Sequence, residues 1–270
     1  GAVLLAGRAR AQAPETIQVP GAGSVAIQRP AGEVQQVVLF VSGDGGWNQG
    51  VVEMARRLSE AGALVAGIDV RALLKGMASA GGCAYPAGTL EEIARAVQLH
   101  ARLPRYLRPV LVGYSSGATL VYAALVAAPA ETFAGAISLG FCPDLELPVP
   151  PCQVRGLKAT RRAKGTGYDL APFPASTVAW TALHGDIDQV CDPARTRAFV
   201  AATGAARFVA LPKVGHGFAV QSRWVPQLRA AYEAIASARA SAVRPTSSVA
   251  GVQDLSLVEV PAAGGVAGDT

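Results

Sequence analysis

Val110-Leu-Val-Gly-Tyr-Ser-Ser-Gly-Ala-Thr-Leu-Val-Tyr122 runs from an apolar, strand-like stretch through Gly113-x-Ser115-x-Gly117 into an apolar, helix-forming segment. A serine at so sharp a strand-to-helix turn is held in a strained backbone, and small residues two before and two after it let strand and helix approach closely. The turn lifts the hydroxyl clear of a sheet. It also aims the N–H of Ser116 toward the point where an acyl oxyanion would form. A bare Gly-x-Ser-x-Gly arises by chance in chains rich in both residues, so the flanks decide. Val110 to Gly113 reads as a buried strand, and Ala118 to Ala128 as a helix with no internal Gly or Pro.

On either side the same alternation recurs. Val37 to Val41 is a continuous apolar run before Ser42-Gly-Asp-Gly-Gly-Trp47, and Val51 to Ala61 is helical in pattern, with Glu53, Arg56, Arg57 and Glu60 on its wet side. Leu64 to Ile68 is a second strand, and Thr89 followed by Glu92 predicts a capping box for a helix reaching Leu103 before Pro104. Further strands are expected at Gly135 to Leu139, Ser176 to Leu183 and Ala206 to Leu211, with a last helix from Trp224 to Ala238. Thr16 to Gln28 adds an antiparallel edge hairpin. Strands alternating with helices predict an α/β fold, a mainly parallel sheet with helices on both faces. One catalytic domain is expected over residues 14–240, followed by a disordered tail over 241–270, rich in Ala, Gly, Ser, Pro and Val.

A serine nucleophile needs an imidazole within reach and a carboxylate that holds the imidazole in the right tautomer. Among the three histidines, His216 in Lys213-Val-Gly-His-Gly-Phe218 follows the last strand and has a glycine on each side, which makes it the general-base candidate. His184 ends a strand and reads as a buried turn residue. His100 lies near a helix C-terminus and is given no catalytic role. Asp186, Asp188 and Asp192 follow the penultimate strand. Asp188 is chosen, far enough past the strand to turn back toward His216, with Asp186 as runner-up. The catalytic set is thus Ser115, Asp188 and His216, in the chain order Ser, Asp, His. A second oxyanion donor is expected from the glycine loop, the N–H of Asp44 pairing with that of Ser116. Trp47 reads equally as a wall of the acyl pocket or as a core aromatic. Acyl transfer of this kind needs no metal and no cofactor.

At 270 residues, 51% hydrophobic and 16% charged, the chain can bury a full core and is not disordered. No apolar run approaches the roughly 20 residues of a bilayer-spanning helix. Residues 1–13 look like the end of a secretory signal peptide, with Ala9-x-Ala11 as the expected cleavage site. Export fits the cysteines, Cys83, Cys142, Cys152 and Cys191, which have no zinc-site spacing. Cys142 and Cys152 bracket a proline-stiffened loop and are expected to pair across it, which would leave Cys83 with Cys191 by elimination. The net charge of +5 is mild, and without a basic run or RNA-binding signature nucleic acid is not an expected partner. Arg155, Lys158, Arg161, Arg162 and Lys164 cluster in one segment. This reads as a solvated loop or as a patch that meets anionic lipid headgroups.

Val38-Leu-Phe-Val-Ser-Gly-Asp-Gly-Gly-Trp-Asn48, Gly113-Tyr-Ser-Ser-Gly-Ala118, Leu139-Gly-Phe-Cys-Pro-Asp-Leu145 and Lys213-Val-Gly-His-Gly-Phe218 resemble the bacterial virulence proteins of the VirJ and AcvB family. The resemblance spans about Val34 to Ala236. It implies an exported, periplasmic α/β-hydrolase that is a serine esterase or lipase, with Ser115, Asp188, His216 and the Asp44 loop in the family's catalytic positions. For AcvB-type members it implies hydrolysis of aminoacylated phosphatidylglycerol, chiefly the lysyl form, at the membrane surface. For VirJ-type members it implies association with secretion-system components. A general carboxylesterase or thioesterase, or a hydrolase fold acting as a binding partner in a secretion assembly, are the competing readings. A lysyl group carries two ammoniums, for which Asp44, Asp144 and Glu146 are the candidate receivers, while the basic segment from Arg155 to Lys164 suits the phosphate.

Overall fold

The computed structural model describes residues 15–164 and 166–242, with side chains to residue 238. The signal-peptide expectation for 1–13 and all of the expected tail beyond 242 lie outside the described residues. The strands are β1 (Glu15–Val19), β2 (Gly23–Gln28), β3 (Gln36–Val41), β4 (Ala63–Ile68), β5 (Val110–Tyr114), β6 (Gly135–Leu139), β7 (Asp144–Leu145), β8 (Ala159–Arg161), β9 (Tyr168–Leu170), β10 (Trp180–Gly185) and β11 (Ala206–Leu211). The helices are α1 (Gln49–Ser59), α2 (Val70–Ala80), α3 (Pro86–His100), α4 (Ser116–Ala127), α5 (Pro193–Ala201) and α6 (Val225–Ala242).

Eight strands form one sheet in the order β1-β2-β4-β3-β5-β6-β10-β11. From β4 to β11 every pairing is parallel, and the β1–β2 hairpin is added antiparallel at one edge, as its alternating sequence predicts. The strands β3 to β6 are continuous apolar runs because helices cover both their faces. One core packs β3, β4 and β5 side chains such as Leu39, Ile68 and Leu111 with α2, α3 and α4, and the other packs Phe40, Val65 and Val112 with α1 and α6. Helix α4 is buried along almost its whole length, so its sequence shows no polar stripe. The order reverses between β3 and β5, and the crevice outside the carboxyl ends of strands at such a switch point is where open α/β sheets bind ligands. Ser115 follows the last residue of β5.

Several expectations are corrected. Helix α3 starts at Pro86, whose fixed φ and missing N–H suit the first helical position, so Thr89 lies inside the helix and caps nothing. The strand expected from Ser176 begins only at Trp180, and the last helix continues to Ala242. Helices α2 and α5 were not anticipated; Asp69 and Asp192 cap them by accepting from Arg71 N and Ala194 N. The basic segment is partly ordered as β8 in a small antiparallel sheet, β7-β9-β8, rather than a plain loop. The disulfides are Cys83–Cys152 and Cys142–Cys191, not the expected Cys142–Cys152 and Cys83–Cys191. Pro148, Pro150 and Pro151 hold the intervening chain open instead of returning it. Cys152 is carried to Ala84, where Ala84 N donates to Pro150 O and Cys152 N to Ala84 O. Cys142 stays at the end of β6, beside the loop after β10.

Candidate active site

Ser115 sits between β5 and α4 with φ 55° and ψ −122°, a conformation that costs a non-glycine residue strain and persists where surroundings over-determine it. Those surroundings are tight. A Cβ on Gly113 would lie 2.1 Å from Gly117 O, and one on Gly117 would lie 2.3 Å from Val41 O. No side chain fits at either position, which is the physical content of the Gly-x-Ser-x-Gly pattern.

His216 is delivered by the loop after β11. Its Nε2 lies 2.9 Å from Ser115 Oγ and its Nδ1 lies 2.8 Å from Asp188 Oδ2. Tyr114 OH donates to the His216 carbonyl at 3.0 Å, and the Tyr114 ring lies 5.7 Å from the imidazole. Burial raises the Tyr114 phenol, with the Asp188 charge adding to it, so the hydroxyl keeps its proton and remains a donor. Gly140, at φ 66°, also lies close to the ring: a Cβ there would stand 3.2 Å from His216 Cε1. Sequence reasoning did not single out Tyr114 or Gly140. The adjacency of Tyr114 to Ser115 is the signal that could have found the first; nothing local marks the second.

Asp188 is the acid. Its side chain is fully buried, whereas that of His216 is 16% exposed. Oδ1 accepts from Val190 N at 2.8 Å and Cys191 N at 3.0 Å, which leaves Oδ2 for His216. Burial pushes the carboxyl up, but the Cys191 amide, the His216 imidazole and the Val190 amide outweigh it and hold the group below its ordinary value. It is ionised at neutral pH. Asp186 is exposed and accepts from Lys213 N at 2.6 Å, so the runner-up braces the histidine loop from outside. His184 is buried as expected, but it lies beside the acid: Nε2 donates to Cys191 O at 2.9 Å and is 3.6 Å from Asp188 Oδ2. Burial lowers the His184 pKa despite the Cys191 carbonyl and the Asp188 charge, so the ring is neutral with its proton on Nε2. Asp188, Cys191 and His216 bring a carboxylate, a sulfur and an imidazole within 4.8 Å of one another. The sulfur is locked in a disulfide and the ring Nδ1 is committed to the carboxylate, so the group is a relay and lacks a thiolate for a metal.

The glycine loop after β3 lies against the elbow: a Cβ on Gly43 would be 3.0 Å from Ser115 Cβ. Buried Ser42 sets the exit from the strand, its Oγ accepting from Val70 N and its N donating to Ile68 O. Gly46 N closes a turn onto Gly43 O at 2.8 Å, with Asp44 exposed at its tip. Ser116 is the first residue of α4, where the N–H lacks an intrahelical acceptor and the helix dipole favours negative charge. Trp47 takes the packing role. Its ring stands edge-on to Phe40 at 5.8 Å and covers Gly67, where a Cβ would come within 2.0 Å of the indole. Asp144 accepts from Arg162 Nη1 at 3.3 Å, pairing a candidate ammonium receiver with the basic segment. Glu146 lines a cleft of about 490 Å³ with Leu74, Lys75, Pro148 and Arg161, and no triad residue contributes to it.

A mainly parallel sheet with a serine at the end of β5, and a carboxylate and an imidazole on the loops after β10 and β11, is the α/β-hydrolase fold. Residues 35–138 match the family model described as "Bacterial virulence protein (VirJ)". That stretch holds the glycine loop and the elbow; Asp188 and His216 lie beyond it. No curated protein sequence matches the chain. Solved structures share the fold. They include an alpha-beta serine hydrolase homologue from Coxiella burnetii (21% identity, 86% of this chain and 99% of that one, TM-score 0.54) and TT1662 from Thermus thermophilus (15%, 83% and 98%, 0.55). A third, XC6422 from Xanthomonas campestris, described as an a/b serine hydrolase without lid, is 23% identical over 84% of this chain and 94% of its own, with TM-score 0.52.

Proposed function

We propose that this chain is a serine ester hydrolase that cleaves the aminoacyl ester of aminoacyl-phosphatidylglycerol, lysyl or alanyl, in the periplasm. The carrying observation is the continuous relay from Asp188 through His216 to Ser115, with hydrogen bonds of 2.8 and 2.9 Å. His216, holding its proton on Nδ1 toward the carboxylate, takes the Ser115 proton on Nε2 as Oγ attacks the ester carbonyl. The imidazolium then protonates the departing glycerol oxygen. The amides of Ser116 and Asp44 receive the oxyanion, each such donor being worth about 3 kcal/mol of barrier. Water attacks the acyl-serine by the same route and releases the free amino acid.

The match over 35–138 supports a VirJ-type protein, and the two disulfides fit an oxidising compartment. Asp44, exposed on the loop beside Ser115, is the preferred candidate receiver of an aminoacyl ammonium, since Asp144 is engaged by Arg162. The test has two levels. A fluorophosphonate probe should label Ser115 and fail to label Ser115→Ala. Folded wild-type protein that stays unlabelled would remove the enzyme reading and leave the scaffold of a secretion assembly. Purified protein should release lysine or alanine from aminoacyl-phosphatidylglycerol vesicles and leave phosphatidylglycerol intact, and Asp44→Asn should slow this reaction more than hydrolysis of a neutral short-chain ester. Release of fatty acid with no amino acid would make the protein an ordinary lipase.

A further inference from the structure

We infer that the Cys142–Cys191 disulfide is a positioning element of the active site, holding the catalytic carboxylate in place through the backbone of Cys191. The inference rests on the serine-hydrolase reading. Cys191 meets the relay with three of its groups. Its N–H donates to Asp188 Oδ1, its carbonyl accepts from His184 Nε2, and its sulfur lies 3.6 Å from Gly140 O. A disulfide sulfur carries no proton, so this last approach is a packing contact. His184, oriented by the Cys191 carbonyl, fills the space behind Asp188 Oδ2 at 3.6 Å.

The other end of the bridge is anchored firmly. The Cys142 carbonyl accepts from Thr119 Oγ1 on α4 at 2.7 Å, and the Phe141 carbonyl accepts from Thr196 Oγ1 on α5 at 2.8 Å. Gly140 N donates to Leu183 O on β10. The segment 140–142 therefore faces the His216 ring at Gly140 and is bonded to the acid's loop at Cys142. One covalent link joins what orients the base to what orients the acid. Around that link the loop is weakly buried: Ile187 and Val190, on either side of Asp188, are 58% and 68% exposed. The apolar side chains that flank Asp188 therefore add little packing to fix its position, which leaves that to the backbone hydrogen bonds and the bridge. The second bridge, Cys83–Cys152, joins the chain before α3 to the strand-like segment at Pro151 and touches no triad residue.

That difference supplies the experiment. Cys142→Ser/Cys191→Ser and Cys83→Ser/Cys152→Ser are compared as folded proteins, with a soluble p-nitrophenyl ester, for kcat, KM and thermal unfolding. Both pairs should unfold at lower temperature. Only the first should lose kcat, by about 10- to 100-fold at unchanged KM, the scale expected when a catalytic group is displaced by about 1 Å. Equal kcat in the two variants, or a loss that appears in KM instead of kcat, overturns the inference.

Should the first variant fail to fold, the bridge is opened in folded Cys83→Ser/Cys152→Ser with dithiothreitol. The S–S bond takes two electrons and two protons to give two thiols, and the reagent leaves as its cyclic disulfide. Reversible loss of kcat with the near-ultraviolet circular dichroism retained is the expected result. Full kcat with both thiols titrated is the overturning one. Wild-type protein that hydrolyses the ester while these variants match it would sink the inference alone; wild-type protein inert to ester and probe would sink the hydrolase reading.

Discussion

Replacing Asp188 by Asn should nearly abolish turnover while leaving the protein folded, and the reason lies in which oxygen does what. Oδ1 accepts from two backbone amides, Val190 N and Cys191 N, and those donors do not change in the variant. An asparagine must therefore turn its carbonyl oxygen toward them, since its NH2 would leave two buried donors facing a donor. That orientation places NH2 at the position of Oδ2, 2.8 Å from His216 Nδ1. The ring then accepts at Nδ1 and carries its proton on Nε2, the atom that has to take the proton from Ser115. The wrong tautomer alone costs about 10⁴ in kcat in a serine protease. At 1.36 kcal/mol per factor of ten this is about 5.5 kcal/mol of barrier. Steady-state hydrolysis of a p-nitrophenyl ester, normalised to folded protein by circular dichroism, reads it directly. Asp186→Asn is the internal comparison: its oxygen only accepts from Lys213 N, and an amide oxygen can do the same. A loss below about tenfold in Asp188→Asn, or a larger loss in Asp186→Asn, would refute the assignment.

Three further outcomes are expected. Gly113→Ala drives a methyl into the Gly117 backbone, so it should cost about 3 kcal/mol, the upper end for overpacking, and displace the elbow enough to suppress probe labelling; denaturant unfolding and labelling rate check both. Trp47→Ala should cost about 3 kcal/mol, low in the aromatic-to-alanine range because the ring is half-buried, with kcat/KM for a short ester unmoved. A raised KM with unchanged stability would restore the ring to the acyl pocket. His184 is the third case: its pKa is lowered by burial from the ordinary 6.5, so the unfolded chain binds the proton first and wild-type stability falls as pH drops below about 6.5. His184→Gln, which keeps a donor for the Cys191 carbonyl and cannot titrate, should flatten that decline between pH 7 and 5; parallel melting curves for the two proteins would count against it. The Asp188 carboxyl, held below its ordinary 3.8, acts in the same direction only at lower pH and leaves this window to His184.

The parts legible in the sequence are those in which the backbone itself restricts the residue. Gly113 and Gly117 are demanded by contacts with backbone oxygens, and the all-apolar runs of β3 to β6 by burial on both faces. Among the three acids that satisfy the order Ser, Asp, His, the distance past the strand favours Asp188, which lies far enough along to turn back toward His216. What could not be read depends on contacts between distant segments. Gly140 against the His216 ring, His184 behind the acid and the pairing of Cys142 with Cys191 are set by the order of β6, β10 and β11 in the sheet, which leaves no local mark. Trp47 stood between two readings because its wedge over Gly67 is a contact between neighbouring strands' loops and backbones, invisible in either segment alone. Helices α2 and α5 were missed although their capping residues, Asp69 and Asp192, were in plain view. Helix α5 has only 9 residues, and α2 carries Gly76 in its interior, which weakens the helical signal.

The two disulfides interlock, each closing across one cysteine of the other, and this governs how the chain would transmit a pull. Tension entering at Cys83 crosses to Cys152, runs back along the chain to Cys142, and leaves through Cys191. Only the short span between Cys142 and Cys152 carries it, on the order of 35 Å of backbone when taut. The segments 84–141 and 153–190, which hold the serine and the acid, hang as slack side loops. Even fully denatured, the oxidised protein cannot be drawn out to the contour length of its sequence. Its unfolded ensemble is correspondingly compact, so denaturant should act on it with a shallower slope than on a reduced chain of the same size.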